Sequence, residues 1–433
     1  MKIWPQNLTF SPQSYNNRAE RHDMLKNKEI ILGVSGGIAA YKSVELLREM
    51  SRRGANVHVV MTKNAQQFVT PLTFQTLSGN PVLYDMFHLL TGSKIGHVTL
   101  ADIADLMVIA PATANILGKI ANGIADDFLT TMVMATTVPV LFAPSMNVNM
   151  WESGFVQNNV DKLKAHGYQF VGPIEGDLAC GSVGKGKLSD IEEIIEKIED
   201  IFTKKDLQGQ QILITAGPTL EPIDPVRYIT NRSTGRMGFA LAKIARRRGA
   251  GVTLITGPHY LSLPRRDIPQ IVVHSAREMH DAVKHYYEDS HIIIMTAAVA
   301  DFRPKDTLEQ KIAKRADGSY LLELEKNPDI LKELGEKRGN HILVGFAAET
   351  SELMENAEVK LQEKNLDLIV ANDVTQPGAG FGVDTNIVKI LDASGKVRKL
   401  PLMSKDEVAD IILDQVVRLV KKKERGLPWP RNW

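Results

Sequence analysis

The sequence contains a single cysteine, Cys180, among its 433 residues. One thiol cannot form an internal disulfide and cannot supply a cysteine-rich metal site, so both kinds of scaffold are excluded. A lone cysteine suits a protein that works in a reducing compartment, and we therefore expect a cytoplasmic protein.

Long hydrophobic runs and an excess of charge of either sign are also missing. No apolar stretch reaches the length of a transmembrane helix, and 52 basic against 51 acidic residues give a net charge of +1. Residues 1–27 lack the apolar core of a secretory signal and form a polar N-terminal extension. These absences argue against a membrane or a nucleic-acid partner and leave small molecules as the expected substrates.

What the chain does have is length and a repeated local pattern. A chain of 433 residues is too long for one ordinary core. Two segments, starting near Glu29 and Gln210, each show an apolar strand, a glycine-containing turn, a helix that ends in Arg-Arg-Gly-Ala and a second strand. Because this is a βαβ unit used twice, we predict two doubly wound, Rossmann-like α/β domains, over residues 28–204 and 205–433.

Further apolar runs predict the remaining strands of both domains. They lie at 106–110, 138–143 and 169–171 in the first domain, and at 270–274, 291–295, 342–346, 366–370 and 387–391 in the second. Ligands of such folds bind beyond the carboxyl ends of the parallel strands. The loops that follow these strands are therefore the places to look for chemistry.

A flavin-type site is indicated by the first strand–turn–helix segment. Ser35, Gly36 and Gly37 open the first helix, where unpaired backbone N–H groups and the helix dipole favour a phosphate. The second strand ends at Met61-Thr62 without the acidic residue that an NAD-binding unit places against the ribose. A mononucleotide such as FMN therefore fits better than a dinucleotide.

Four more motifs follow in the first domain. Pro144–Trp151 is a loop with two Met, two Asn and a Trp, and Ala110–Asn115 reads Ala-Pro-Ala-Thr-Ala-Asn. His97 lies in a turn after a glycine, and Cys180 lies in a glycine-rich flap. A lone histidine is usually structural and a lone cysteine is often a small buried filler, but both stand here beside a predicted ligand site.

Taken together and in chain order, from the glycine turn through His97, Ala110–Asn115 and the loop 144–151 to Cys180, these motifs resemble the flavin-dependent cysteine decarboxylases, in particular the decarboxylase half of the bifunctional phosphopantothenoylcysteine decarboxylase/phosphopantothenate–cysteine ligase family. The resemblance implies a flavodoxin-like domain in which FMN oxidises the cysteinyl thiol, CO2 leaves, and reduction gives 4′-phosphopantetheine. It assigns acid–base chemistry to His97, the substrate carboxylate to Asn147 and the final proton to Cys180. The implied FMN contacts are Gly33, Ser35, Gly36, Gly37, Thr62, Pro111, Ala112, Thr113 and Met146.

In the second domain, the loop 229–238 is rich in groups that bind anionic oxygen and precedes a helix. It is not a Walker A loop, and a polar loop that merely caps its helix remains an alternative. Asp301 follows a strong strand and is placed to serve a ribose or Mg2+. Lys311 and Lys314 offer cations for a triphosphate, although such lysines are usually only solvated.

These features resemble the ligase half of the same family, and the two resemblances together cover about residues 28–415. The implied reaction activates 4′-phosphopantothenate with CTP to an acyl-CMP, which the amine of cysteine then attacks. Asn231 matches the residue that holds this intermediate, and Lys311 matches the catalytic lysine. The implied contacts to CTP are Ala297, Asp301, Lys311, Lys314 and Phe346, with Mg2+ at Asp301.

The choice of CTP over ATP rests on the resemblance alone. So does the expected homo-oligomer, with trimeric decarboxylase domains and dimeric ligase domains that together can build a dodecamer. Two other interpretations remain open: a flavin-dependent decarboxylase or prenyltransferase with an unrelated second domain, and a non-catalytic regulatory flavoprotein. An NAD(P) dehydrogenase is disfavoured by the missing acidic residue.

Overall fold

The computed structural model describes residues 24–85, 97–177, 181, 183–262, 267–313, 320–337, 339–349, 353–373 and 375–425, with backbone only for 97–99 and 349. Contacts divide the chain into two compact units, one ending at Thr203 and the other beginning at Lys204. None of the described helices combines the length and the apolarity needed to cross a bilayer.

The first unit is built on a parallel sheet. Its strands are β1 (Glu29–Val34), β2 (Asn56–Met61), β3 (Leu106–Ala112), β4 (Val140–Pro144) and β5 (Gln169–Phe170). They form a five-stranded sheet in the order β2-β1-β3-β4-β5. A separate antiparallel hairpin consists of β6 (Ile174–Asp177) and β7 (Val183–Lys187).

Helices cover both faces of this sheet. They are α1 (Ala40–Arg52), α2 (Pro71–Ser78), α3 (His97–Ile103), α4 (Ala114–Ala121), α5 (Phe128–Ala135), α6 (Val148–Glu152), α7 (Gly154–Ala165) and α8 (Ile191–Phe202), with a 3₁₀ turn at Ala65–Gln67. Alternate residues of β1 point to opposite faces, so Ile30 and Leu32 join the core under α1 and α8 while Ile31 joins the core under α4 and α5.

The second unit has a larger, mixed sheet. Its strands are β8 (Gln211–Ala216), β9 (Leu220–Pro222), β10 (Tyr228–Thr230), β11 (Gly251–Thr256), β12 (Gln270–Val272), β13 (Ile292–Met295), β14 (Phe302–Pro304), β15 (Leu324–Lys326), β16 (Ile342–Glu349), β17 (Leu368–Asp373), β18 (Thr385–Asn386), β19 (Val388–Asp392), β20 (Val397–Lys399) and β21 (Met403–Ser404). Eight of them form one sheet in the order β12-β11-β8-β13-β16-β17-β19-β20. Within it, β19 and β20 run antiparallel to their neighbours.

The described helices that flank this second sheet are α9 (Arg236–Arg247), α10 (Ala276–Tyr287), α11 (Ile330–Lys337), α12 (Leu353–Glu363) and α13 (Lys405–Glu424). On one face α9 and α13 pack over Ile212 and Ile214, and on the other α10, α11 and α12 pack over Leu213 and Ile293. The prediction of two α/β units with parallel sheets is confirmed. The hairpins β6–β7, β9–β10 and β14–β15 and the edge strand β20 were not predicted, because they are short and carry little apolar periodicity.

Candidate active sites

A cavity of about 630 Å³ lies at the carboxyl ends of β1, β3 and β4 in the first unit. Most of its wall comes from the four loops that follow β1, β2, β3 and β4, and the rest comes from α4, the N-cap of α5, α6 and β7. The lining residues are Ser35, Gly36, Gly37, Ile38, Thr62, Lys63, Asn64, Thr113, Ala114, Asn115, Ile116, Lys119, Asp127, Ser145, Met146, Asn147, Met150 and Gly186.

Ser35 ties the glycine turn to the end of β3. Its buried hydroxyl donates to the carbonyl oxygen of Pro111 at 2.7 Å and accepts from the backbone N–H of Thr113 at 3.2 Å. Beside it, a β-carbon on Gly36 would lie only 2.5 Å from Cβ of Asn64. The turn can therefore pack this tightly against the end of β2 only because residue 36 is glycine.

The starts of two helices border the cavity. The turn at Ser35–Ile38 leads into α1, and Thr113 is the N-cap of α4, where its hydroxyl accepts from the backbone N–H of Ile116 at 3.5 Å. The first N–H groups of a helix have no partner within it, and the helix dipole adds a partial positive charge. This end of the cavity is therefore suited to a phosphate group.

The loop after β4 forms the opposite wall. The side-chain oxygen of Asn147 accepts from the backbone N–H of Asn149 at 2.9 Å and caps α6. The backbone N–H of Met146 donates to the carbonyl oxygen of Gly186 in β7 at 3.0 Å. A β-carbon at position 186 would collide with the carbonyl oxygen of Met146, so the hairpin β6–β7 approaches Asn147 as closely as a backbone can.

Lys119 contributes a cation to the same wall. Its ammonium group lies 2.7 Å from Asp126 and 3.4 Å from Asp127, which is the N-cap of α5. The hydrogen bond to Asp126 raises the pKa of Lys119, and the same bond lowers the pKa of Asp126. Lys119 is thus held protonated at the edge of the cavity.

The structure brings most of the predicted flavin contacts together. Those on the cavity wall are Ser35, Gly36, Gly37, Thr62, Thr113 and Met146, and Asn147, which was predicted to bind the substrate carboxylate, lies on the same wall. The other three predicted contacts are not on this wall: Gly33 lies in β1, and Pro111 and Ala112 lie in β3. Gly33 faces Leu129, and the carbonyl oxygen of Pro111 accepts the hydrogen bond from Ser35. The side chain of His97 lies outside the described atoms, although its backbone begins α3, and Cys180 lies outside the described residues.

A second cavity, of about 1010 Å³, lies at the carboxyl ends of β13, β16 and β17 and at the start of α9. Gly235 is the N-cap of α9 with a left-handed φ of 80°, a conformation that glycine adopts without strain. A β-carbon on Gly238 would lie 2.5 Å from that of Ala216, so α9 packs directly against β8. The start of α9 therefore faces the cavity at short range.

Three of the predicted contacts meet in one corner of this cavity. The amide group of Asn231 donates to the carbonyl oxygens of Ala298 at 3.1 Å and Val299 at 3.3 Å. Ala297 belongs to the same turn, and its N–H donates to the hydroxyl of Thr215 at 3.2 Å. Asp301 follows as an exposed side chain, and Phe346 lines the cavity from β16.

The second cavity is strongly cationic. Among the described residues, seven basic and two acidic side chains line it: Arg232, Arg236, Lys326, Lys332, Lys360, Lys364 and Lys405 against Asp301 and Asp329. Most of these cations were not predicted, because they come from separate segments that only the fold brings together. The signals in the sequence were the loop 229–238, which contains Arg232 and Arg236, and the spacing of Lys360 and Lys364, which lie four residues apart at the end of α12.

Lys311 is not on this wall. It is an exposed residue of a segment that is fixed elsewhere, since the backbone N–H of Ile312 donates to Asp224 at 3.1 Å. Burial opposes ionisation of Asp224, but N–H groups from Ile312, Val226 and Arg227 hold the pKa of this carboxyl below its usual value. Lys314 lies outside the described residues.

Lys405, at the first turn of α13, is the most unusual of the cations. It is buried, and its ammonium group donates to the carbonyl oxygens of Val383, Gly380 and Phe381, the last two at 3.4 and 3.5 Å. Burial, reinforced by the charge of Arg236 and opposed by Asp384, lowers the pKa of Lys405 to about 8.

Comparisons with known proteins cover both units. The flavoprotein family profile matches residues 18–203, and the profile of the DNA/pantothenate metabolism flavoprotein C-terminal domain matches residues 207–420. The coenzyme A biosynthesis bifunctional protein CoaBC of Bacillus subtilis (strain 168) is 52% identical over 92% of this chain and 99% of its own length. The protein of the same name from Escherichia coli (strain K12) is 42% identical over 93% of this chain and 99% of its own length. A crystal structure of the C-terminal domain of a CoaBC protein is 43% identical over 51% of this chain and 100% of its own, with a TM-score of 0.44.

Proposed function

The chain belongs to the family of coenzyme A biosynthesis bifunctional proteins, and from this we propose that it catalyses two successive reactions. The second unit joins 4′-phosphopantothenate to cysteine with CTP as the activating nucleotide. The first unit then decarboxylates the product to 4′-phosphopantetheine. Because a pantothenate-metabolism profile matches residues 207–420, a flavoprotein with an unrelated second domain is not favoured.

The residues of the first cavity fit FMN. Two helix starts and the hydroxyl of Thr113 offer donors for one phosphate group, Ser35 holds the two segments together, and a volume of about 630 Å³ can take a mononucleotide. When bound, the flavin supplies the two-electron acceptor that turns the cysteinyl thiol into a thiocarbonyl, which lets CO2 leave, and afterwards returns the electrons.

The chain's own groups would hold and protonate the substrate. Since the side-chain oxygen of Asn147 caps α6, this amide would meet the substrate carboxylate with its NH2 group. A neutral donor binds a carboxylate without the strong ion pair that would oppose its departure. His97 would carry the proton of the thiol, and Cys180 would protonate the enethiolate. We expect a Cys180→Ser variant to release CO2 without forming phosphopantetheine; normal phosphopantetheine yield would refute this role.

The charge of the second cavity carries the ligase assignment. Seven basic and two acidic side chains around about 1010 Å³ suit a triphosphate together with a second phosphorylated substrate. Ala297, Asp301, Phe346 and, on a separate segment, Lys311 and Lys314 would contact CTP. Asn231, held by two carbonyl groups, would bind the acyl-nucleotide intermediate.

Mg2+ would bind at Asp301 with the nucleotide. Among the described residues, no group of three or more His, Cys, Asp or Glu side chains could hold a metal ion alone. Mg2+ commonly uses one or two carboxylates together with phosphate oxygens of the substrate and water, which is what this site offers. The metal is therefore expected to bind tightly only when the nucleotide is present.

A homo-oligomer is expected as well, with trimers of the first unit and dimers of the second that together build up to a dodecamer. Its support is exposed apolar surface on the first unit, namely Ile38 and Met150, which line the cavity, and Tyr41 and Leu72 on α1 and α2. The phosphorylated substrates and the single cysteine suit the reducing cytoplasm. Light scattering on the purified chain would give the subunit number.

Product analysis by mass spectrometry tests the function. The protein would receive 4′-phosphopantothenate, cysteine, Mg2+ and either CTP or ATP. We expect phosphopantetheine and CMP from CTP alone. Accumulated phosphopantothenoylcysteine would contradict the decarboxylase half, and no coupling with either nucleotide would contradict the ligase half.

A further inference from the structure

One loop of the second unit is held by two of the cations that line the second cavity, Arg236 and Lys405. Residues 379–386, here called the GFG loop, run between β17 and β19, and Gly380, Phe381 and Asn386 line the second cavity. The loop is closed at both ends: Asn372 donates to the carbonyl oxygen of Ala379 at 2.9 Å, and β18 pairs with β21.

Within the loop, three tethers converge on its backbone and on Asp384. The hydroxyl of Thr234, from the loop before α9, donates to the carbonyl oxygen of Phe381 at 2.7 Å. Arg236, in the first turn of α9, forms an ion pair with Asp384. The ammonium group of Lys405 donates to the carbonyl oxygens of three loop residues.

The position of Lys405 is unfavourable for a lysine in two respects. A cation in the first turn of a helix opposes the helix dipole, and burial of an ammonium group carries a desolvation cost that only good hydrogen bonds offset. The cluster of carbonyl oxygens is what compensates for both, because it surrounds the ammonium group much as oxygen ligands surround a small cation. A neutral side chain here would leave three carbonyl dipoles pointing at one another.

We propose that Lys405 is a positioning residue of the ligase site: its ammonium group gathers the carbonyl oxygens of the GFG loop and thereby keeps Phe381 and Arg236 in the wall of the nucleotide cavity. This inference rests on the proposed ligase function. Without the cation, ordering of the GFG loop has to accompany nucleotide binding. Removal of the Lys405 ammonium group should therefore weaken nucleotide binding more than it slows the chemical step.

The test compares Lys405→Ala with Lys421→Ala, an exposed lysine on the same helix. Ligation would be followed with saturating 4′-phosphopantothenate and cysteine while CTP is varied. Loss of hydrogen bonds to a charged group typically costs about tenfold to a hundredfold in binding. We expect the KM for CTP to rise by about that factor in Lys405→Ala with kcat within about threefold of wild type, and no change in Lys421→Ala.

Rescue by small amines separates positioning from a general loss of stability. Ammonium or methylammonium chloride can place a cation among the same carbonyl oxygens, so either salt should lower the KM of Lys405→Ala, whereas sodium chloride at equal ionic strength should not. An unchanged KM, or a loss confined to kcat, would overturn the proposal.

A second variant applies if Lys405→Ala does not fold. Thr234→Val removes another tether of the loop without changing charge, and it should raise the KM for CTP in the same direction; an unchanged value would again overturn the proposal. Wild-type protein that ligates with neither CTP nor ATP would instead refute the ligase function itself. Decarboxylation of added phosphopantothenoylcysteine by every variant serves as the control for the first unit.

Discussion

Two buried serine hydroxyls in the first unit make the same kind of bond to adjacent residues of one strand. Ser35 donates to the carbonyl oxygen of Pro111 at 2.7 Å, and Ser43 donates to that of Ala110 at 2.6 Å. Only Ser35 lines the cavity and accepts from Thr113 at the start of α4. Substituting each serine in turn therefore distinguishes an effect on flavin binding from an effect on the stability of the fold.

We expect Ser35→Ala to weaken FMN binding by about tenfold to a hundredfold, because it leaves a buried carbonyl and a partly buried N–H without their partner at the phosphate end of the cavity. Ser43→Ala should lower the melting temperature about as much as Ser35→Ala does, but it should leave the FMN affinity within about twofold of wild type. Fluorescence titration of the apoprotein with FMN measures the FMN affinity of each variant, and thermal unfolding measures its melting temperature. Equal FMN affinity in the two variants would contradict the role of Ser35.

A site residue can be predicted from the sequence when the groups that surround it are close to it in the chain. Ser35 and Thr113 could be found because each stands in a strand–turn–helix segment whose backbone is set by neighbouring residues. Lys405 could not be found, since its partners Gly380, Phe381 and Val383 lie more than 20 residues away and meet it only through the pairing of β18 with β21. Lys311, conversely, was predicted from a motif, and the structure ties its segment to Asp224 outside the second cavity.

At the scale of elements, the hairpin β6–β7 shows what a glycine-rich stretch can conceal. The sequence suggested an irregular flap, because glycine weakens strand propensity and no apolar alternation is present. Of this stretch, the described residues Val183–Lys187 form β7, and two of its glycines are required by close packing. A β-carbon on Gly184 would lie 2.8 Å from Val148, and one on Gly186 would meet the carbonyl oxygen of Met146.

A Gly186→Ala variant should therefore displace the hairpin from the loop that carries Asn147. Displacements of about 1 Å at a reacting centre can cost on the order of a hundredfold in rate, so we expect a loss of about that size in decarboxylation. Ligation in the same chain should be unchanged. Gly154→Ala is the matched control, because a β-carbon there meets nothing within 4 Å. The assay follows CO2 release from added phosphopantothenoylcysteine, and full activity in Gly186→Ala would show that the contact is dispensable.

At the scale of the whole molecule, the two cavities are built independently. In the part of the chain that the structure describes, the residues that line the first lie between Ser35 and Gly186, and those that line the second lie between Asn231 and Lys405. Each unit also has hydrophobic clusters of its own on both faces of its sheet. This independence explains why each half of the sequence could be interpreted separately, and it implies that the two activities can be removed one at a time.

We therefore expect Asn147→Ala to accumulate phosphopantothenoylcysteine, whereas Asn231→Ala should fail to ligate but still decarboxylate added phosphopantothenoylcysteine. Loss of an oriented polar group at a reacting centre typically costs on the order of a hundredfold or more, so each variant alone should form little phosphopantetheine from 4′-phosphopantothenate. An equimolar mixture of the two should form it readily, because the intermediate released by one chain can enter the first unit of another. Mass spectrometry of the mixture, with each variant assayed alone for its remaining activity, measures this. If both single activities are intact and the mixture still makes no phosphopantetheine, the intermediate does not leave the chain that produced it, and the two units do not act independently.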